Sequence, residues 1–148
     1  MTYNKKVINL PLSEVWTFYD FRYVNGTNPI EDWYKRSLSD GARFVFDALL
    51  KNIHRIKNHL EWGCFRGFLK GRLKEQRIWE LGFQSDGRQY RLLCVFGEKR
   101  KQVISLVGCY HKQKVYVPPD ALSTAYTRSK ALSEGKAGYY ERKIRTDQ

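Results

Sequence analysis

The sequence predicts one domain of the α+β class, in which an N-terminal strand and two helices precede an antiparallel sheet and a C-terminal helix. Hydrophobic residues make up 42% and aromatic residues 15% of the 148 residues, which is enough for one substantial core. The spacing of apolar residues changes from helical to strand-like near Gly71. The predicted strands then cluster late in the chain instead of alternating with helices, an order typical of α+β domains.

The first predicted element is a strand over Val15–Val24. Its alternate positions predict a side that faces the core, made of Val15, Thr17, Tyr19, Phe21 and Tyr23. Asn25-Gly26 ends this strand. Asn28 then predicts the N-cap of a short helix, because Pro29 suits the first helical position and Glu31 completes a capping box.

A second, longer helix is predicted to begin at a cap on Ser39 or Asp40. Apolar residues then recur at helical spacing as far as Leu60. These residues are Ala42, Val45, Leu49, Ile53, Ile56 and Leu60. The glycine-punctuated residues 61–71 predict a connection without regular structure.

Three further strands and a last helix are predicted after this connection. The strands are Leu73–Phe83, Gln89–Phe96 and Gln102–Tyr110. Ser85-Asp86-Gly87 is a hairpin-turn signal between the first two, and the nearly continuous apolar run of the third predicts a central position. Pro118-Pro119 precede a helix that is predicted to begin at Asp120 and to stop at Gly135.

The charge of the chain is strongly one-sided. It carries 27 basic and 15 acidic residues, a formal net charge of +12, yet residues 1–50 hold six of each. The whole surplus therefore lies in the later two thirds of the chain. Such an asymmetry predicts a polyanionic partner, and we expect RNA. A membrane surface is disfavoured because no basic amphipathic helix with a clean apolar face stands out.

Several other classes of protein are disfavoured by what the sequence lacks. No apolar run reaches the roughly 20 residues of a membrane span, and residues 1–12 lack the apolar core of a signal peptide. The three cysteines form no Cys-x-x-Cys pair, so we expect reduced thiols and a cytoplasmic location. His54, His59 and Cys64 fit no common zinc spacing, so we expect neither a metal nor another cofactor.

Two stretches carry a resemblance to a known family. Leu73–Leu81 with Gly87–Leu93 resembles the central hairpin of the RelE/HigB superfamily of bacterial toxins, and its Trp-Glu-Leu strand resembles the phage-associated, HigB-like branch. Val103–Tyr110, residues 111–114 and Pro118–Ala125 resemble the segment that closes those proteins. The likeness covers about residues 15–134, with 1–14 as an N-terminal extension and 135–148 as a basic C-terminal tail.

The resemblance implies a RelE-like fold and the toxin of a type II toxin–antitoxin system. Such a toxin is a metal-independent endoribonuclease that cuts mRNA on the ribosome and so inhibits translation. It implies a cognate antitoxin, commonly a small helix-turn-helix protein, and contact with operator DNA only through the antitoxin complex. Two alternatives remain open: a toxin of the same fold that poisons another target such as gyrase, or a non-catalytic RNA-binding protein.

The resemblance also implies roles for individual residues. Arg91 is expected to bind phosphate, Lys112 with Lys114 to form a basic pair on one face, and His111 to act as an acid or base. Tyr116 is expected to stack on a base or donate a proton, and Glu80 to act as a base or to pair with Arg88. Further basic residues are expected to bind RNA: Lys74, Arg77, Arg88, Lys99, Arg100, Lys101 and Lys114.

Each of these residues also has a plainer interpretation. Arg91 could instead form a structural salt bridge to Glu80 across the hairpin. His111 could be an exposed bystander, and exposed lysines are common on any surface. Trp79 is expected in the core and not as a stacking platform for a base.

Overall fold

A computed structural model describes residues 15–144, and it confirms the predicted α+β class. The strands are β1 Thr17–Arg22, β2 Phe65–Phe68, β3 Trp79–Ser85, β4 Arg88–Phe96, β5 Gln102–Lys112, β6 Val115–Val117 and β7 Gly138–Glu141. The α-helices are α1 Pro29–Ser37, α2 Asp40–Ile53, α3 Arg72–Glu75 and α4 Ala121–Ser133, and His59–Glu61 forms a short 3-10 helix. Across this described part of the chain, no helix is long and apolar enough to span a membrane.

All seven strands belong to one mixed sheet. Their order is β2-β3-β4-β5-β1-β7, and β6 pairs with β5 beyond the end of β1. Neighbouring strands are antiparallel except for β1 and β5, which are parallel with Thr17 opposite Gln102. The apolar run in β5 is buried, as its predicted central position requires.

Helices cover both faces of the sheet and create two cores. On one face, α1 and α2 bring Ile30, Tyr34 and Phe46 against the strands. On the other face, Ala121 and Ala125 of α4 pack against the opposite sides of β4 and β5. Gly108 of β5 allows the close approach of α1, because a Cβ at this position would lie 2.0 Å from the ring of Trp33.

The expected core face of the first strand is confirmed at Phe21, which is fully buried, but the opposite face is buried as well. Phe18 and Asp20, on the side expected to face solvent, are 2% and 3% exposed, whereas Tyr23 is 38% exposed. The reason is that β1 lies between β5 and β7 with core on both faces, so simple alternation does not apply. Asp20 tolerates burial because Arg142 and Asn28 hydrogen-bond to its carboxylate.

The second helix is shorter than predicted. It ends at Ile53, and Leu60 is 68% exposed. The chain turns away here because the carbonyl of His54 accepts a hydrogen bond of 2.8 Å from the backbone N–H of Trp16, next to the start of β1. Of the two expected caps, Ser39 is the one used, since its side chain accepts from the N–H of Ala42.

The strand predicted from Leu73 begins only at Trp79. Residues 72–75 form the short helix α3, and Arg77 then adopts a positive φ of 56°, which breaks any extended path. Three strands were not predicted. β2 lies within the supposed connection 61–71, β6 follows the third predicted strand, and β7 lies in the supposed tail 135–148, where it pairs with β1. The expected extension 1–14 lies outside the described residues.

Candidate functional site

Four of the residues that the resemblance implicates lie on one face of the sheet. Glu80, Arg91, His111 and Tyr116 come from β3, β4, β5 and β6 in turn. Residues that pair across two strands have their side chains on the same face of the sheet. Glu80 pairs with Leu93, which is two residues from Arg91 on β4, so Glu80 and Arg91 share a face. His111 pairs with Tyr116, so these two side chains share a face as well. Leu93 packs in the α4 core, so the four side chains lie on the α4 face, and we name this group the sheet cluster.

The carboxylate of Glu80 is the centre of the sheet cluster. Its Oε2 accepts a short hydrogen bond from the hydroxyl of Tyr116. The Nε of Arg91 lies 4.0 Å from Oε1, and the Nε2 of His111 lies 4.0 Å from Oε2. The ring of His111 meets that of Tyr116 edge to face with the centroids 4.4 Å apart. Three side chains from three strands therefore converge on one buried carboxylate.

Two nitrogen atoms of the sheet cluster are buried without a hydrogen-bond partner among the described residues. They are Nε of Arg91 and Nε2 of His111. Both stop at 4.0 Å from Glu80, which is beyond hydrogen-bond distance. Buried polar groups in proteins are nearly always satisfied, so these two nitrogen atoms are the members of the cluster with unused hydrogen-bonding capacity.

The pKa values of the sheet cluster determine which groups carry a proton at neutral pH. The pKa of His111 is lowered, first by burial and then by the charge of Arg91, while the charge of Glu80 opposes this shift. His111 is therefore neutral near pH 7 and free to accept a proton. Burial and the hydrogen bond to Glu80 raise the pKa of Tyr116, so its hydroxyl stays protonated. Burial raises the pKa of Cys109 to about 12, which makes this thiol unsuited to nucleophilic attack.

One residue of the site was missed by sequence reasoning. Arg66 lies on β2, and its guanidinium reaches the same face of the sheet above Gly82. A Cβ built on Gly82 would lie 2.7 Å from Nε of Arg66 and 2.8 Å from Nη1 of Arg91. Both arginines therefore occupy the space that a side chain at Gly82 would fill. Because β2 was not predicted, no feature of the sequence placed Arg66 beside Arg91.

The basic residues at the end of β5 are not part of the sheet cluster. Lys112 follows His111 in the strand, so its side chain starts on the opposite face, and it is exposed. Lys114 is not extended as expected, since Gln113 and Lys114 have φ of 52° and 69° and form the two-residue turn between β5 and β6. The two lysines therefore do not share a face through strand alternation.

Arg88 is not the partner of Glu80. Its guanidinium carbon lies 4.4 Å from the ring centroid of Tyr110, and Tyr110 lies on the helix α1 side of the sheet. Glu80 instead faces Arg91, which agrees with the interpretation that Arg91 pairs with Glu80 across the hairpin. The distance of 4.0 Å between Nε of Arg91 and Oε1 of Glu80 is nevertheless too long for a tight salt bridge.

The other basic residues that were expected to bind RNA lie outside the strands that carry the sheet cluster. Lys99, Arg100 and Lys101 form the turn at the opposite end of β4 and β5, where Lys101 donates to the carbonyl of Lys57. Lys74 is exposed on α3, and the guanidinium of Arg77 lies 4.8 Å from the ring centroid of Phe68.

Trp79 and His59, which were considered for base stacking and for metal binding, both pack among other side chains and not in the sheet cluster. Trp79 is fully buried, as predicted. His59 packs among the aromatic rings of Trp16, Trp62 and Phe65. Within residues 15–144, no three His, Cys, Asp or Glu side chains are grouped so that they could hold a metal ion.

Comparison with known proteins gives one match. Residues 35–130 fit the family model described as phage derived protein Gp49-like (DUF891). This range includes α2, the central hairpin and all members of the sheet cluster. No curated protein and no solved structure matches the chain.

Proposed function

The chain belongs to the Gp49-like family of phage-derived proteins, a toxin-like family of the RelE/HigB type, and from this premise we propose that it is an endoribonuclease that cuts mRNA on the ribosome. A toxin-like family implies a cognate antitoxin as a partner. The proposal includes mRNA as the substrate, the ribosome as the place of cleavage, and the inhibition of translation as the result.

The observation that carries the proposal is the pair of buried, unsatisfied nitrogen atoms beside Glu80. Arg91 and His111 each have a nitrogen aimed into the sheet cluster with no partner among the described residues. A phosphodiester oxygen is an acceptor for Nε of Arg91, and the neighbouring 2′-hydroxyl is a donor for an unprotonated Nε2 of His111. The charge surplus beyond residue 50 supports the same substrate, because long-range attraction concentrates a polyanion at a basic surface.

RNA cleavage without a metal needs a base, a cation and a fixed geometry. His111, which is neutral near pH 7, takes the proton from the 2′-hydroxyl. The 2′-oxygen attacks phosphorus and the bond to the 5′-oxygen breaks, so that a 2′,3′-cyclic phosphate and a 5′-hydroxyl form, the latter after protonation by water. Arg91 stabilises the charge that builds on the phosphoryl oxygens.

Glu80 and Tyr116 act in this proposal as positioning residues. The side chain of Glu80 is only 10% exposed, against 23% for His111, so His111 is the better placed of the two to meet a substrate. The charge of Glu80 raises the pKa of His111 and so stabilises the imidazolium that forms when the proton is taken. Tyr116 holds the carboxylate in place by its hydrogen bond.

The test is expression in bacteria that lack the antitoxin, with mapping of mRNA ends. The native chain is expected to stop growth and to create new mRNA ends within translated frames. Arg91→Ala is expected to restore growth at equal protein level. Arg36→Ala is a matched control, because Arg36 is exposed on α1 at the opposite face of the sheet, and this variant should remain toxic.

Three outcomes would contradict the proposal. Full toxicity of Arg91→Ala would remove Arg91 from the active site. Growth arrest with a DNA-damage response and unchanged mRNA ends would favour a gyrase-type target. Intact mRNA after long incubation with translating ribosomes, combined with RNA binding, would favour a non-catalytic RNA-binding protein.

A further inference from the structure

Two arginines from different strands share the space above one glycine. Nε of Arg66 and Nη1 of Arg91 both lie within 2.8 Å of the point where a Cβ of Gly82 would be. Gly82 is on β3, between β2, which carries Arg66, and β4, which carries Arg91. The absent side chain leaves space above the backbone of Gly82, and the two guanidinium groups extend into this space from both sides; we name this place the recess.

The charge balance of this recess calls for an anion. The two guanidinium groups carry like charges, which repel each other unless a negative charge lies near them. Among the described residues, no carboxylate forms an ion pair with Arg66, and the nearest one to Arg91 is Glu80 at 4.0 Å. Nε of Arg91 is buried there without a partner. An anion with several oxygens would satisfy both the charge and the free donor.

The backbone around Gly82 keeps this recess in place. The N–H of Gly82 donates a hydrogen bond of 2.8 Å to the carbonyl of Cys64, which joins β3 to the chain just before β2. Arg91 is further held by a hydrogen bond of 2.9 Å from Nη1 to the carbonyl of Tyr90. Arg91 is 13% exposed, and Arg66 is exposed, so one side of the recess is fixed and the other can close on a ligand.

We propose that Arg66 and Arg91 bind one and the same phosphodiester group, with Gly82 as the floor of the site. This inference rests on the proposed function, since it identifies the phosphate as the scissile one, and it adds Arg66 as a phosphate-binding residue. Forked guanidinium groups suit this task because each can donate two parallel hydrogen bonds to phosphate oxygens. Arg91 connects the recess to the sheet cluster, because its Nη1 lies above Gly82 and its Nε lies 4.0 Å from Glu80.

The test is a double-mutant cycle on RNA binding, which does not depend on cleavage. The probe is a short single-stranded RNA with 2′-O-methyl groups, which cannot be cut at the 2′-oxygen. Arg66→Gln and Arg91→Gln are each expected to weaken binding about tenfold. We call the joint binding of one phosphate by Arg66 and Arg91 the clamp. If the clamp exists, the double variant should bind RNA only slightly more weakly than either single variant, because the loss of one arginine already removes the joint binding. Arg36→Gln is the matched control and should bind like the native chain.

Gly82→Ala gives a second and independent measurement. The three atoms nearest the added methyl group are side-chain atoms, Nε and Cγ of Arg66 and Nη1 of Arg91, so these side chains shift while the strands stay in place, and the thermal midpoint should stay within a few degrees of the native value. RNA binding should nevertheless weaken about as much as in Arg66→Gln, because the methyl group pushes both guanidinium groups apart.

The outcomes separate this inference from the proposed function. Additive effects of the two arginine variants, an effect of Arg66→Gln no larger than that of Arg36→Gln, or no binding of the probe by the native chain would each overturn the clamp. Native cleavage of mRNA together with additive binding effects would overturn the clamp and leave the endoribonuclease intact. Non-additive binding effects of the two arginine variants, together with no cleavage of mRNA by the native protein, would support the clamp and contradict the proposed endoribonuclease activity.

Discussion

Tyr116 donates a hydrogen bond to Glu80, although 36 residues separate them and two strands lie between their own. The bond joins β6 to β3 across the face that also carries Arg91 and His111. It gives the buried carboxylate a hydrogen-bond donor, and it fixes the group that the two unsatisfied nitrogen atoms face. The stability of the sheet cluster and the placement of the groups proposed to act on RNA therefore depend on the same contact.

Tyr116→Phe is predicted to destabilise the protein by about 1–3 kcal/mol, because Glu80 is 7% exposed and loses a hydrogen-bond partner. Urea unfolding measures the loss. Tyr139→Phe is the matched control, since Tyr139 is 43% exposed at the sheet edge and should change stability by less than about 0.5 kcal/mol. Equal effects of the two variants would show that the bond to Glu80 contributes nothing to stability.

His111 is predicted to titrate below pH 6.5 in the folded protein. Because the folded-state pKa is lowered, the unfolded chain binds more protons between the two pKa values. This contribution to stability is present above pH 6.5 and is lost as the pH falls through the folded-state pKa. The rate of RNA cleavage should rise with pH through the same midpoint and then level off, since only the neutral ring accepts a proton.

NMR titration of the imidazole protons measures this midpoint, and His111→Gln identifies the signal among the three histidines. Glu80→Gln provides a directional control. The charge of Glu80 raises the pKa of His111, so its removal should move the midpoint still lower. An upward movement in this variant would mean that the two groups do not interact as the geometry indicates.

Arg142→Ala is predicted to cost about 3–5 kcal/mol of stability, because it leaves the carboxylate of Asp20 buried without its cation. Asp20 is 3% exposed, and Arg142 also bonds to Glu31 at 2.7 Å. The double variant Asp20→Asn with Arg142→Met should recover part of the loss, since no unpaired buried charge remains.

Denaturant unfolding of these variants is the measurement. Lys143→Ala, a change at the neighbouring exposed lysine, should be nearly neutral. A loss below about 1 kcal/mol for Arg142→Ala would show that water replaces the guanidinium at Asp20.

Gly108→Ala is predicted to destabilise the protein by about 1–3 kcal/mol, because the new Cβ would overlap the ring of Trp33 and push α1 off the sheet. Gly63→Ala is the control, since a Cβ there meets no atom within 4 Å. Thermal unfolding of both variants compares them directly. Equal midpoints would mean that Trp33 shifts at no cost.

Local signals predicted much of the fold. Asn28 caps α1 as predicted and accepts from the N–H of Glu31, and Ser39 caps α2 in the same manner. The hairpin turn at residues 85–87 joins β3 to β4. Caps and turns depend on a few neighbouring residues, so they can be predicted from the sequence without a structure.

Elements that depend on partners far away in the chain could not be predicted from the sequence. β2 and β7 have four residues each and no apolar alternation, and they exist because β3 and β1 offer them a free edge. Glu31 was expected to complete a capping box, but its carboxylate bonds to Arg142, 111 residues later. Sequence periodicity records which face of an element is apolar, but not which strand will be its neighbour.

By itself, the sequence determined the α+β class, the helix caps, the central hairpin and the one-sided positive charge. Through resemblance it also predicted a site made of Glu80, Arg91, His111, Lys112 and Tyr116. Only the tertiary structure decided that Lys112 and Arg88 start on the other face, that Asp20 is buried, and that Arg66 joins Arg91 above Gly82. The physical reason is that a charged side chain is buried or converges on another only when the sheet brings its partner within a few ångströms. That pairing involves strands far apart in the chain, and no local pattern encodes it.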